Sequence, residues 1–114
     1  MNQIIASILI LLLLPILTWG KGKPQRYFNS YQKNIIWERD KGICQICRIK
    51  LKPYGRDKDS VEFDHFYPYS KGYPTTIDNG VLLCRLHNQE KSNNIYPISV
   101  LIGNHKHLKK VKKQ

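Results

Sequence analysis

Residues 81–91 read Val81-Leu82-Leu83-Cys84-Arg85-Leu86-His87-Asn88-Gln89-Glu90-Lys91, and this stretch decides the fold. Val81 to Cys84 is a short apolar run suited to a buried strand, and Arg85 to Ser92 has helix-forming composition. Cys84 and His87 stand three residues apart, so they share one face of a helical turn. A thiol and an imidazole at that spacing are half of a tetrahedral zinc site. Cys44-Gln45-Ile46-Cys47, in a tight turn upstream, offers the other half. The chain has three cysteines, and an odd number cannot close into disulfides without a thiol left over or a dimer. Cys44, Cys47, Cys84 and His87 therefore read as a Cys3His set for structural Zn²⁺, against the blander reading of buried apolar cysteines and one surface thiol. A bound metal suits a domain of this size, which buries too little surface to be stable with ease.

Between the half-sites, Val61-Glu62-Phe63-Asp64-His65 alternates apolar and polar residues and predicts a second short strand. Pro68 to Thr76, with two prolines and Gly72, reads as the loop leaving it, and Asn79-Gly80 is a turn signal before the next strand. Upstream, Ser30 is placed to cap a helix through Tyr31, Ile35, Ile36 and Arg39 that ends at Gly42. Lys50 to Ser60 is charged and loop-like.

Taken in order, Cys44-x-x-Cys47, Asp64-His65, Pro68-Tyr69-Ser70-Lys71-Gly72, Asn79, Val81-Leu82-Leu83-Cys84, His87-Asn88 and Lys91 resemble the HNH endonuclease family. The likeness runs from about Cys44 to Lys91 and keeps order and spacing. It implies a small α+β fold, a ββα-metal unit in which two antiparallel strands and a helix grip one divalent ion, here with a structural zinc and a preceding helix. It implies that His65 is the general base, that Asp64 and Asn88 hold the catalytic ion, and that Asn79 steadies the inter-strand loop and so orients the histidine. The zinc set then matches the separate site many members carry. Two departures stand out: His87 replaces the commoner fourth cysteine, and Tyr73 replaces a second glycine. The first leaves a second register open, with His87 on the catalytic ion. The resemblance favours His87 on zinc, because Asn88 and Lys91 then fall on the family's final positions, and adjacent helical residues about 100° apart let His87 face zinc while Asn88 faces the groove.

That chemistry suits phosphodiester hydrolysis, which needs an activated water and a positive centre for the developing charge. Hard oxygen ligands such as Asp64 and Asn88 suit Mg²⁺ or another divalent ion. Consecutive strand residues face opposite ways, so a strand end or bulge is expected to bring Asp64 and His65 to one site.

The chain of 114 residues carries 19 Lys plus Arg against 8 Asp plus Glu, a net charge of +11. This points to a polyanionic partner, nucleic acid and DNA first. Lys71, Lys91, Lys109 and Lys110 are the candidate phosphate contacts. The size excludes a multidomain enzyme and a multi-spanning membrane protein. Residues 4–19 form an apolar run followed by Lys21, Lys23 and Arg26, and read either as a cleaved export signal or as a membrane anchor. The expected organisation is thus a hydrophobic leader at 1–20, a nuclease domain at 21–103 with its motif core at 44–91, and a basic solvated tail at 104–114. His105 and His107 in that tail are not read as ligands. Two alternatives stand beside the nuclease: a zinc-stabilised nucleic-acid-binding module without catalysis, and a basic protein held at anionic lipid.

Overall fold

A computed structural model describes residues 25–114. The apolar leader at 4–19 lies outside them. Helix α1 spans Ser30–Asp40. Its cap is Asn29, one residue earlier than expected: Asn29 Oδ1 accepts from Gln32 N–H at 2.8 Å and Gln32 Oε1 accepts from Asn29 N–H at 3.0 Å, a capping box. The helix ends where Lys41 and Gly42 take positive φ. There the chain passes so close to the Trp37 ring that only a residue without Cβ fits at position 42.

Strand β1 (Val61–His65) pairs antiparallel with β2 (Gly80–Cys84), from Val61 opposite Cys84 to His65 opposite Gly80. Helix α2 (Arg85–Lys91) follows β2 without a linker. All five residues of β2 are buried, which its apolar composition requires, and both helices pack on it. Its outer edge is closed by groups from the α1 end of the chain: Asp40 Oδ2 accepts from Leu82 N–H at 3.0 Å, and Gln45 N–H donates to Leu82 C=O at 2.9 Å. Asp40 is buried but paired, its carboxylate 2.8 Å from Arg39 Nε. Arg39 in turn donates to the carbonyls of Ile77 and Gly80. The core around β2 holds Phe28, Ile36, Leu51, Phe66, Leu101 and Leu108.

The expected helix, strands and inter-strand loop are all present. The loop carries two 3₁₀ turns, Tyr69–Lys71 and Ile77–Asn79. The C-terminal stretch corrects the expectation of a free basic tail. Leu108 is buried, His105 is buried with Nε2 3.0 Å from Gln45 Oε1, and Gln114 N–H donates to Gly72 C=O at 2.8 Å. Lysine count alone hid the apolar side formed by Leu108 and Val111. Among the described residues no helix is long and apolar enough to cross a membrane.

Gly80 lies where β2, α1 and Phe28 meet. A Cβ there would overlap Ile36 Cδ1 and stand 3.1 Å from Phe28 Cε1. Gly80→Ala is expected to destabilise the domain by about 1–3 kcal/mol in urea unfolding; an unchanged midpoint would contradict this packing.

Candidate active site and metal centre

A bridge between Ile43 and Lys50 closes the turn bearing Cys44 and Cys47. Arg48, at φ 69, reverses the chain directly after the second thiol. Cys84 ends β2 and caps α2, its Sγ 3.5 Å from His87 N. The ligand atoms of Cys44, Cys47, Cys84 and His87 all lie within 4.8 Å of one another. Cys47 Sγ is 3.8 Å from Cys84 Sγ, and His87 Nδ1 is 3.0 Å from the same sulfur. Donors about 2.0–2.3 Å from a tetrahedral ion stand roughly 3.4–3.8 Å apart, so the cluster is close to zinc-sized as it stands. Burial pushes the Cys84 thiol up to about 11, and the neighbouring Cys44 adds to this. Burial acts on Cys44 too, but the backbone N–H groups of Cys47, Cys84 and Ile46 outweigh it and hold that thiol below its usual range. Held together as thiolates, the three sulfurs would need a cation among them. His87 points its Nδ1 into this cluster, as the register with His87 on the zinc set requires.

Asp64 turns toward α2. Its side chain is 12% exposed, and Oδ2 stands 2.9 Å from Nζ of Lys91, which has no exposed surface at all. Oδ2 is thus buried with Lys91 as its ionic neighbour. Burial raises the Asp64 pKa to about 6; Lys91 pulls against this, and Glu62 adds to the rise. Desolvation therefore outweighs one ammonium, and the carboxylate is under-neutralised. A divalent cation would supply the missing charge, and the hard oxygen suits Mg²⁺. Asn88, half-buried, lies one turn before Lys91 on the same face of α2, and its side-chain amide makes no hydrogen bond among the described residues.

Lys91 is the clearest correction among the expected site residues. Its sequence position makes it a candidate phosphate contact, but its ammonium lies between Asp64 Oδ2 and His65 C=O, 3.2 Å from the latter, with Phe66 and Tyr96 rings at 5.7 and 5.9 Å. An apolar stem with an internal counter-ion is stable buried. Lys71, Lys109 and Lys110 are exposed.

His65 leaves β1 on the other face. The ladder is regular through His65 opposite Gly80, so there is no bulge; His65 is instead the last residue of the strand, the other arrangement expected, and the two groups flank that end from opposite sides. The imidazole stacks on Phe28, ring centroids 4.6 Å apart, and its Nε2 is 2.8 Å from Thr75 Oγ1. Thr75 already donates its one hydroxyl proton to Arg26 C=O at 3.1 Å. Nε2–H must then be the donor to Thr75, which leaves the lone pair on Nδ1. Burial, then Arg26 and Lys91, lower the His65 pKa to about 4, so the ring is neutral at physiological pH. Asn79 is fully buried and clamps the loop: Oδ1 accepts from Tyr67 N–H at 2.9 Å, and Nδ2 donates to Tyr67 C=O at 2.9 Å and Pro74 C=O at 2.8 Å. It acts on His65 by fixing the segment that carries Thr75.

Residues 44–94 match the family model described as HNH endonuclease. This segment is similar to HNH endonuclease domains. No curated protein and no solved structure matches the chain significantly. The HNH match begins at the first cysteine and ends just beyond α2, so α1 and the C-terminal stretch flank it. These flanks supply what the motif does not: Phe28 and the Arg26 carbonyl steady His65 and Thr75, and Asp40 closes the edge of β2. Thr75 carries no sequence signal of its role, whereas Phe28, directly before the Asn29-x-x-Gln32 cap, is legible as a packed residue.

The two shifts separate Asp64 from His65 in a pH titration. Asp64 is raised, so the folded protein holds its proton as pH falls through about 6, and a cation must displace it. The apparent Kd for Mg²⁺ or Mn²⁺ is expected to rise about tenfold per pH unit below that point and to be flat above it. His65, at about 4, contributes no limb there. A limb near pH 6.5 that persists at saturating metal would contradict the assignment.

Proposed function

We propose that this protein is a metal-dependent HNH endonuclease that hydrolyses phosphodiester bonds in nucleic acid, most readily DNA. The observation that carries the reading is the pair at the end of β1: a buried, under-neutralised Asp64 next to a neutral His65 whose tautomer is set. Asp64 and Asn88 would hold the divalent ion, which supplies positive charge to the phosphate as negative charge develops. A phosphodiester lying across the strand end meets the carboxylate on one side and the imidazole on the other. His65 Nδ1 takes the proton of the attacking water and the ring becomes the imidazolium, while Thr75 holds Nε2–H and with it the ring's orientation before and after the transfer. Lys71, Lys109 and Lys110 contribute phosphate contacts that position without reading sequence. The hydrogen bond from Gln114 to Gly72 supports this by bringing the C-terminal stretch beside the Lys71 turn. We take residues 4–19 as the segment that exports or anchors this activity.

One observation favours a second reading. Lys91 already provides a counter-ion for Asp64, as a non-catalytic, zinc-stabilised nucleic-acid-binding module would require. The test is nicking of supercoiled plasmid by the zinc-loaded protein with Mg²⁺ or Mn²⁺, against His65→Ala prepared identically. The nuclease reading expects metal-dependent nicking that falls by about 10²-fold or more in the variant. No cleavage with any divalent ion, by a folded protein that still retards DNA, would favour the binding module.

A further inference from the structure

His65 does not face open solvent; it forms the inner wall of a cleft of about 470 Å³. Phe28 and Tyr69 stand against the imidazole, with ring centroids 4.6 and 5.6 Å from it. At the mouth, Tyr27 and Tyr54 are 76% and 81% exposed, an unusual expense of aromatic surface in so small a domain. Arg26 lies 6.0 Å from the Tyr27 ring and 5.3 Å from the Tyr69 ring, and Lys33 lies 5.5 Å from the Phe63 ring. Among the described residues neither cation has an ion-pair partner. The cleft thus offers aromatic faces and unneutralised cations at one opening, with Glu62 its one lining acid.

A regular duplex cannot use the aromatic part of this surface, because its bases present edges in the grooves and keep their faces stacked inside. Unpaired bases expose those faces, and a positive groove lined with aromatic rings is how single strands are held without sequence preference. We propose that this cleft takes an unstacked base against Tyr27 and Tyr54, with its phosphate on the Arg26 side away from Glu62. The substrate class is then nucleic acid with unpaired bases: single strands, flaps or frayed ends. The inference rests on the nuclease reading for the fate of the bound strand, but its binding step stands apart from it.

The test is anisotropy of the full chain, zinc-loaded and without added Mg²⁺, on a single-stranded oligothymidine and on a blunt hairpin duplex of equal phosphate number. Tyr27→Ala with Tyr54→Ala is expected to weaken single-strand binding about tenfold or more, as loss of base stacking does. Duplex binding should change less than about twofold, since backbone contact is retained. Tyr27→Phe with Tyr54→Phe keeps the ring faces and should bind as the parent does. Equal weakening on both ligands, no weakening on either, or a phenylalanine variant as weak as the alanine one would overturn the proposal. Plasmid nicking separates the two readings. Tyrosine-dependent strand binding without any cleavage removes the nuclease and leaves the cleft; His65-dependent nicking with unaltered strand binding in the alanine variant removes the cleft and leaves the nuclease.

Discussion

Cys84 ends β2, caps α2, and stands within 4 Å of both Cys47 Sγ and His87 Nδ1. The remaining geometry hangs from that junction. If the four ligands hold one ion, the direction in which α2 leaves the sheet is set by coordination, with little left to helix propensity. A helix of seven residues could not set it alone, being shorter than isolated helices that persist in water. With α2 placed, Lys91 reaches under β1 and Asn88 sits one turn earlier. With β2 placed, Gly80 lies opposite His65, and Asn79 can clamp the loop that carries Thr75. A two-stranded sheet is marginal on its own; here Asp40 and Gln45 serve the free edge of β2 while the cysteine cluster locks its end.

The strand end then becomes a place where charge is separated. Asp64 and His65 are neighbours in sequence, yet they face different environments, and their pKa values are driven apart in the directions burial dictates for an acid and a base. Burial keeps the proton on Asp64 to about pH 6 and keeps it off His65 down to about pH 4. Lys91 occupies the centre of this arrangement, touching the side chain of one residue and the carbonyl of the other. Its charge favours the ionised carboxylate and the neutral imidazole at once, which is the protonation pattern a metal-assisted hydrolase needs at neutral pH.

Much of this was legible in the order of the residues. The alternation of Val61 to His65 and the apolar run ending at Cys84 set both strands almost to the residue, because a two-residue period leaves little choice of face. The Cys3His spacing likewise points to the Cys/His cluster that the fold brings together. What stayed hidden depended on partners distant in sequence. Lys91 has the composition of a surface lysine, and only the tertiary fold supplies Asp64 and two aromatic rings to bury it. Thr75 matters through a hydroxyl shared between His65 and the Arg26 carbonyl, and Asp40 through an amide forty-two residues away. The C-terminal stretch read as solvated because lysines dominate it, while its docking rests mainly on Leu108 and the buried His105. The helix cap is Asn29 and not Ser30, one residue from the sequence expectation, and the Asn29–Gln32 capping pair is the signal that distinguishes them.

The central claim is that the Cys84 junction is closed by one zinc ion. X-ray absorption at the zinc edge on the purified folded protein tests it most directly. The account predicts one zinc per chain, with three sulfur ligands at about 2.3 Å and one nitrogen at about 2.0–2.1 Å. A folded protein without stoichiometric zinc, or a shell lacking three sulfurs, would contradict it.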